Sequence, residues 1–168
     1  AARVARFPEG EVDQVFSLRV RLDGDAARRA AERARTGQIE ALAGLAEAMA
    51  ARSPPASEAD LEALSAANEA FHRLVMEAAV APRLAGLLAY TVQVALVQRT
   101  YRRFSARDLE RSAAHHRELV EAIAARAPEW AEAVMSAHLL AAQAADRRAA
   151  PPPGRPAEGP EGAGAATR

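Results

Sequence analysis

Apolar positions recur every three or four residues along most of the chain and seldom alternate, so the pattern predicts helices rather than strands. The first helix is expected from about Glu11 to Arg35, with Val12, Val15, Phe16, Leu22, Ala26 and Ala30 on its apolar side and Arg19 within that side. Phe7-Pro-Glu-Gly10 before it reads as a linker. Thr36-Gly37 breaks the pattern, and Thr36 is placed to cap a second helix striped by Ile39, Leu42, Leu45 and Met49. Ser53-Pro-Pro55 ends that helix. Ser57-Glu-Ala-Asp60 then resembles a capping box opening a third, which carries Leu61, Leu64, Asn68, Phe71, His72 and Val75 until Ala81-Pro82.

Pro82 suits the first turn of a fourth helix, with Leu84, Leu87, Leu88, Val92 and Leu96 in register, running to about Phe104. Ser105-Ala-Arg-Asp108 is a second capping-box-like start. The fifth helix places Leu109, Ala113, His116, Leu119, Val120 and Ile123 on one face, and the sixth, opened by Pro128, places Ala131, Val134, His138, Ala141 and Ala145. The fold class is therefore all-α, with about six helices.

Composition sharpens this picture. Alanine is abundant and aromatic residues make up only 4%, which favours closely approaching helices. A length of 168 residues suits one domain. From Pro151 to Arg168 the Pro/Gly-rich sequence lacks periodicity and is expected to be a disordered tail, which leaves residues 11–150 as the folded domain and 1–10 as a linker. Lys+Arg and Asp+Glu both number 22, so no global basic field draws this segment onto nucleic acid or a membrane. The absence of cysteine restricts any metal site to nitrogen and oxygen donors. No apolar run is long enough to cross a bilayer and no signal peptide opens the chain, so the cytoplasm is the expected compartment. Position 1 is Ala rather than Met, which reads as a fragment whose beginning lies upstream.

Three of the four histidines, His72, His116 and His138, fall on the apolar stripes of three different helices, and Asn68 lies one turn before His72. Asn is a poor interior helix residue, and burying its carboxamide needs a partner. Two readings stand side by side. The histidines and Asn68 are core residues satisfied by hydrogen bonds, or they converge on a divalent metal as an N₃O set suited to Zn²⁺, Mn²⁺, Fe²⁺ or Ni²⁺. His115, rotated by about 100° from His116, is assigned to solvent. Arg19 precedes Asp23 by one turn, so it either forms an intrahelical ion pair or takes a ligand carboxylate with its planar fork. Arg99, Arg102 and Arg103 read as a solvated helix end. Catalytic motifs are missing: there is no His-Glu-x-x-His, only one Glu-x-x-His (Glu69 to His72), no phosphate-cradling glycine loop and no Gly-x-Ser-x-Gly.

The motifs resemble the FCD ligand-binding domain of GntR-type bacterial transcription regulators over about Glu11 to Ala145. Phe16-Ser-Leu-Arg19 through Leu22-Asp23 is similar to the family's opening Arg-x-x-Leu-Glu helix, with Asp23 where Glu is usual. Asn68-Glu-Ala-Phe-His72 resembles its Asp-x-x-Phe-His motif, His116 to Ile123 its His-x-x-Ile-x-x-Ala-Ile segment, and Met135-Ser-Ala-His-Leu139 its closing Met-x-x-His-Leu. The resemblance implies an antiparallel helical bundle holding a divalent metal, with zinc the first expectation, through Asn68, His72, His116 and His138. It further implies a small carboxylate effector engaging Arg19, a homodimer, and operator DNA reached only through a winged helix-turn-helix upstream of this chain. Asn68 in place of Asp removes one negative charge, and Ala81-Pro82 stands where the family often has a Gly-Asn turn. A metal-free helical dimerisation module with core histidines and a small metal-dependent enzyme are the competing expectations.

Overall fold

In the computed structural model, residues 9–79 and 94–149 are described. They form α1 (Glu9–Arg33), α2 (Thr36–Ala50), α3 (Glu58–Ala78), α4 (Val94–Arg103), α5 (Ala106–Ala124) and α6 (Pro128–Ala149), with no strand among the described residues. The expected Pro82 start of the fourth helix, the Ala81-Pro82 rim, residues 1–8 of the linker and the 151–168 tail lie outside the described residues. Glu9 and Gly10, read as linker, instead open α1.

Outside the fourth helix, whose stripe from Leu84 to Leu96 lies outside the residues with described burial, the expected stripes are the buried ones, rotated by a residue or so. In α1 the core face runs Val12, Phe16, Arg19, Asp23, Ala26, Ala27, Ala30, Ala31, and Val15 and Leu22 sit on its flanks. Its alanines, with Ala131 and Ala145 of α6, let α1 and α6 approach closely along the longest helix contact of the fold. Gly24 lies at a close point of that seam: a β-carbon there would lie 3.2 Å from Ser136 Oγ. α1 also leans on α3 and α5, α5 packs on α2 and α6, and α4 bridges α3 and α6. The arrangement is a helical bundle, and Phe71, Leu42, Leu64, Leu119 and Ile123 fill the space between the rods.

Local signals set most of the helix starts. Ser57 Oγ accepts from Asp60 N at 3.1 Å. Ser105 and Asp108 form a reciprocal box, with Asp108 N donating to Ser105 Oγ at 3.3 Å and Ser105 N to Asp108 Oδ2 at 3.1 Å. The second helix departs from expectation. Thr36 is its first helical residue rather than its cap; Arg35 holds the extended cap position, and Gln38 Oε1 turns back to accept from Arg35 N at 3.0 Å. α5 ends in a tight left-handed turn at Arg126 (φ 57°), where Ala127 N donates to Ala122 O at 3.0 Å and the chain reverses into α6.

These two kinds of contact should differ in weight. Ser105→Ala removes a cap and is expected to cost about 1 kcal/mol, whereas Leu42→Ala, at a fully buried position, should cost about 2–5 kcal/mol. Urea unfolding of the two variants reads both, and an equal loss would show that the α5 cap carries more than a terminal hydrogen bond.

Candidate metal centre

The site grows from three helices that each turn one imidazole inward. α3 presents Asn68 and His72, α5 presents His116, and α6 presents His138. Phe71, fully buried beside His72, packs edge-on against His116 with ring centroids 4.8 Å apart. The imidazole centroids lie 4.5 Å (His116–His138), 5.5 Å (His72–His138) and 6.0 Å (His72–His116) apart. One ring nitrogen from each falls within 4.8 Å of the others. Nitrogens sharing one cation at about 2.1 Å sit roughly 3–3.4 Å apart, so side-chain rotations of about an ångström separate this arrangement from a ligand set.

Their electrostatics favour donation. His116 Nδ1 lies 2.8 Å from Ser112 O, so this nitrogen carries the proton and donates, and Nε2 keeps a lone pair. That Nε2, both nitrogens of His72 and Nδ1 of His138 are buried without a hydrogen-bond partner. Leaving such groups unpaired costs about 1–3 kcal/mol each. Burial, reinforced by Arg19 and the neighbouring rings, holds His72 and His138 well below the ordinary histidine range. It brings His116 down to about 4, against the pull of the Ser112 carbonyl. All three rings are therefore neutral near pH 7, the form in which an imidazole binds a cation. The orphaned nitrogens and the all-imidazole donor set fit a divalent metal.

Asn68 is buried on the same wall, and its Oδ1 accepts the Tyr101 hydroxyl at 3.0 Å. Burial raises the Tyr101 pKa to about 12, so the phenol stays protonated and this bond orients the carboxamide. The carbonyl keeps a second lone pair. Arg19 is buried and lines a cavity of about 30 Å³ with Phe16, Asn68, His72, Tyr101 and His138. Its Nε and Nη2 both reach Asp23 Oδ2 at 3.0 Å, so the intrahelical pair expected for this residue is formed. Burial pushes the Asp23 carboxyl up and Arg19 pulls it back. The cavity has room for about two water molecules.

Three features escaped the sequence pattern. Asp23 is buried with its Oδ2 only 3.6 Å from His72 Nδ1. His115, assigned to solvent, is half-buried: its Nδ1 is enclosed, and its ring lies 5.9 Å from that of His138 beside Phe104, Asp108 and Ser112. The 100° step takes it off the α5 stripe, but α6 covers that flank as well. The arginines closing α4 are not uniformly solvated. Arg99 and Arg103 reach Asp146 of α6 at 3.3 and 3.0 Å, and Arg102 alone is an exposed partner, of Glu58.

Residues 14–141 match the family model of the FCD domain. Among solved structures the chain is similar to Streptococcus agalactiae GntR, at 18% sequence identity and a TM-score of 0.63, over 80% of this chain and 59% of that one. At that identity the likeness is one of fold. The chain thus spans 59% of the length of the regulator it superposes on. No curated protein sequence matches it. No described helix is long and apolar enough to cross a membrane. A match reaching from the second turn of α1 to the middle of α6 takes in most of the chain: the protein belongs to the FCD domain family, whose members are regulatory rather than catalytic modules.

Proposed function

We propose that the chain is the effector-sensing and dimerisation half of a GntR-type transcription regulator. It holds a divalent metal through His72, His116 and His138, with Asn68 as oxygen donor, and binds a small carboxylate metabolite that also engages Arg19. The single observation that carries this reading is the meeting of three buried, neutral imidazoles from three helices within 4.8 Å, each with at least one ring nitrogen left without a hydrogen bond. Core histidines are ordinarily satisfied by hydrogen bonds, and four of these ring nitrogens are not. Asn68, by contrast, has a partner in Tyr101, so its place as a ligand rests on its second lone pair.

Nitrogen-rich sets suit Zn²⁺, with Mn²⁺, Ni²⁺ and Fe²⁺ as alternatives. Because the donors are all uncharged, a bound cation keeps its full charge and offers open positions to the oxygens of an anion. Arg19 lines the same cavity and supplies the second contact for a carboxylate. In the whole regulator, effector binding shifts helix packing across a two-fold dimer and changes the spacing of winged helices carried upstream of residue 11, in the cytoplasm.

Elemental analysis of protein purified without an affinity tag should find about one metal per chain. His72→Ala, His116→Ala and His138→Ala should each weaken binding by more than the roughly 10–100-fold typical of outer-sphere changes; full occupancy in all three variants would sink the assignment. Small carboxylates are expected to raise the melting temperature of zinc-loaded protein and to do so neither without metal nor in Arg19→Leu. A stabilisation indifferent to metal would place the anion elsewhere.

The metal-free protein should also lose stability as the pH falls from about 6.5, where unfolded imidazoles titrate, toward about 4, where buried His116 does. In that window the unfolded chain binds more protons, at up to about 1.4 kcal/mol per pH unit for each histidine, and the slope flattens once the folded rings protonate. Urea unfolding in chelator at pH 7.5, 6.0 and 5.0 measures this. His138→Leu should shed one share of the slope.

A further inference from the structure

Asp23 is an expensive residue to keep where it is. It is 2% exposed and pairs through its Oδ2 with Arg19 on the same helix, both Arg19 nitrogens lying 3.0 Å from that one oxygen. A buried ion pair is seldom worth more than the apolar residues that would replace it, so its presence asks for a further reason. The reason lies across the α1–α3 contact. The same Oδ2 is 3.6 Å from His72 Nδ1, and Asp23 is the carboxylate closest to His72 among the described residues. His72 Nδ1 has no other partner, and neither does its Nε2.

Metal-binding histidines commonly donate their second ring N–H to a carboxylate, which fixes the tautomer and aims the lone pair. A separation of 3.6 Å is about 0.6 Å beyond a good N–H···O bond, a gap of the size that a small rotation of the His72 ring closes. Resting on the metal centre proposed above, we infer that Asp23 is the positioning residue of that centre. Its Oδ2 receives the Nδ1–H of His72, so that Nε2 is the nitrogen facing the cation. Arg19 holds the same oxygen from the other side. The carboxylate that steers His72 is thereby the one Arg19 must share when an anion enters the cavity, and the metal and anion sites are joined through one atom.

The test uses zinc alone. Arg19→Leu/Asp23→Leu removes the pair together and leaves no lone buried charge to unfold the helix; Asp23→Asn is the smaller change. Zinc affinity is read by competition with a chromophoric chelator, and the His72 tautomer by ¹⁵N NMR of the metal-free ring. The wild type should bind one zinc and show His72 protonated at Nδ1. Both variants should bind zinc 10–100-fold more weakly while still reaching one equivalent at saturation, and the double variant should lose the fixed Nδ1–H tautomer, which a loss of charge at a distance would not change. A double variant that binds zinc within twofold of wild type, or keeps the Nδ1–H form, overturns the role of Asp23 and leaves the metal centre standing. A wild type that binds no zinc overturns the centre itself and this inference with it.

Discussion

Packing three uncharged imidazoles against one another inside an alanine-lined bundle is the constraint around which the rest of the molecule is arranged. Each ring carries hydrogen-bonding atoms into the bundle interior, and four of those nitrogens find no partner among the described residues. At about 1–3 kcal/mol for each unpaired group, the cluster weighs against a folding stability that is itself only about 5–15 kcal/mol. The surrounding hydrophobic residues offset it. Phe71 backs His116, Leu139 follows His138 in the core, and Met135, Val75 and Leu119 are buried on the same three helices. A cation that took up those lone pairs would offset this cost, in line with the metal centre proposed above.

Alanine makes the convergence geometrically feasible. Four buried alanines on α1 allow α6 to come close, and α6 carries His138 toward the α3 and α5 rings. Larger side chains along that seam would push the helices apart and separate the nitrogens. Gly24, opposite Ser136, belongs to the same requirement.

Helix period alone was enough to place His72, His116, His138 and Asn68 inward, because each lies on the stripe of its own helix. What it does not contain is how one stripe is rotated against another. Asp23 was visible as the partner of Arg19 one turn away, yet its approach to His72 depends on the crossing of α1 over α3. Tyr101 belongs to a basic helix end and meets Asn68 only because α4 lies along α3. His115 and the Arg99–Asp146 contact went unseen for a similar reason, since both depend on α6 covering more of its neighbours than one stripe's width. The start of α2 failed on local grounds: Thr36 has the chemistry of a cap, but Gln38 supplies the reciprocal bond to Arg35 one residue earlier.

The small volume beside Arg19 has a mechanical corollary. A space of about 30 Å³ bounded by side chains from α1, α3, α4, α5 and α6 cannot admit a multi-carbon acid without its walls yielding. Any guest of that size would act as a wedge, converting chemical affinity directly into displacement of the rods that enclose it, and the bundle would need no separate hinge to transmit the message.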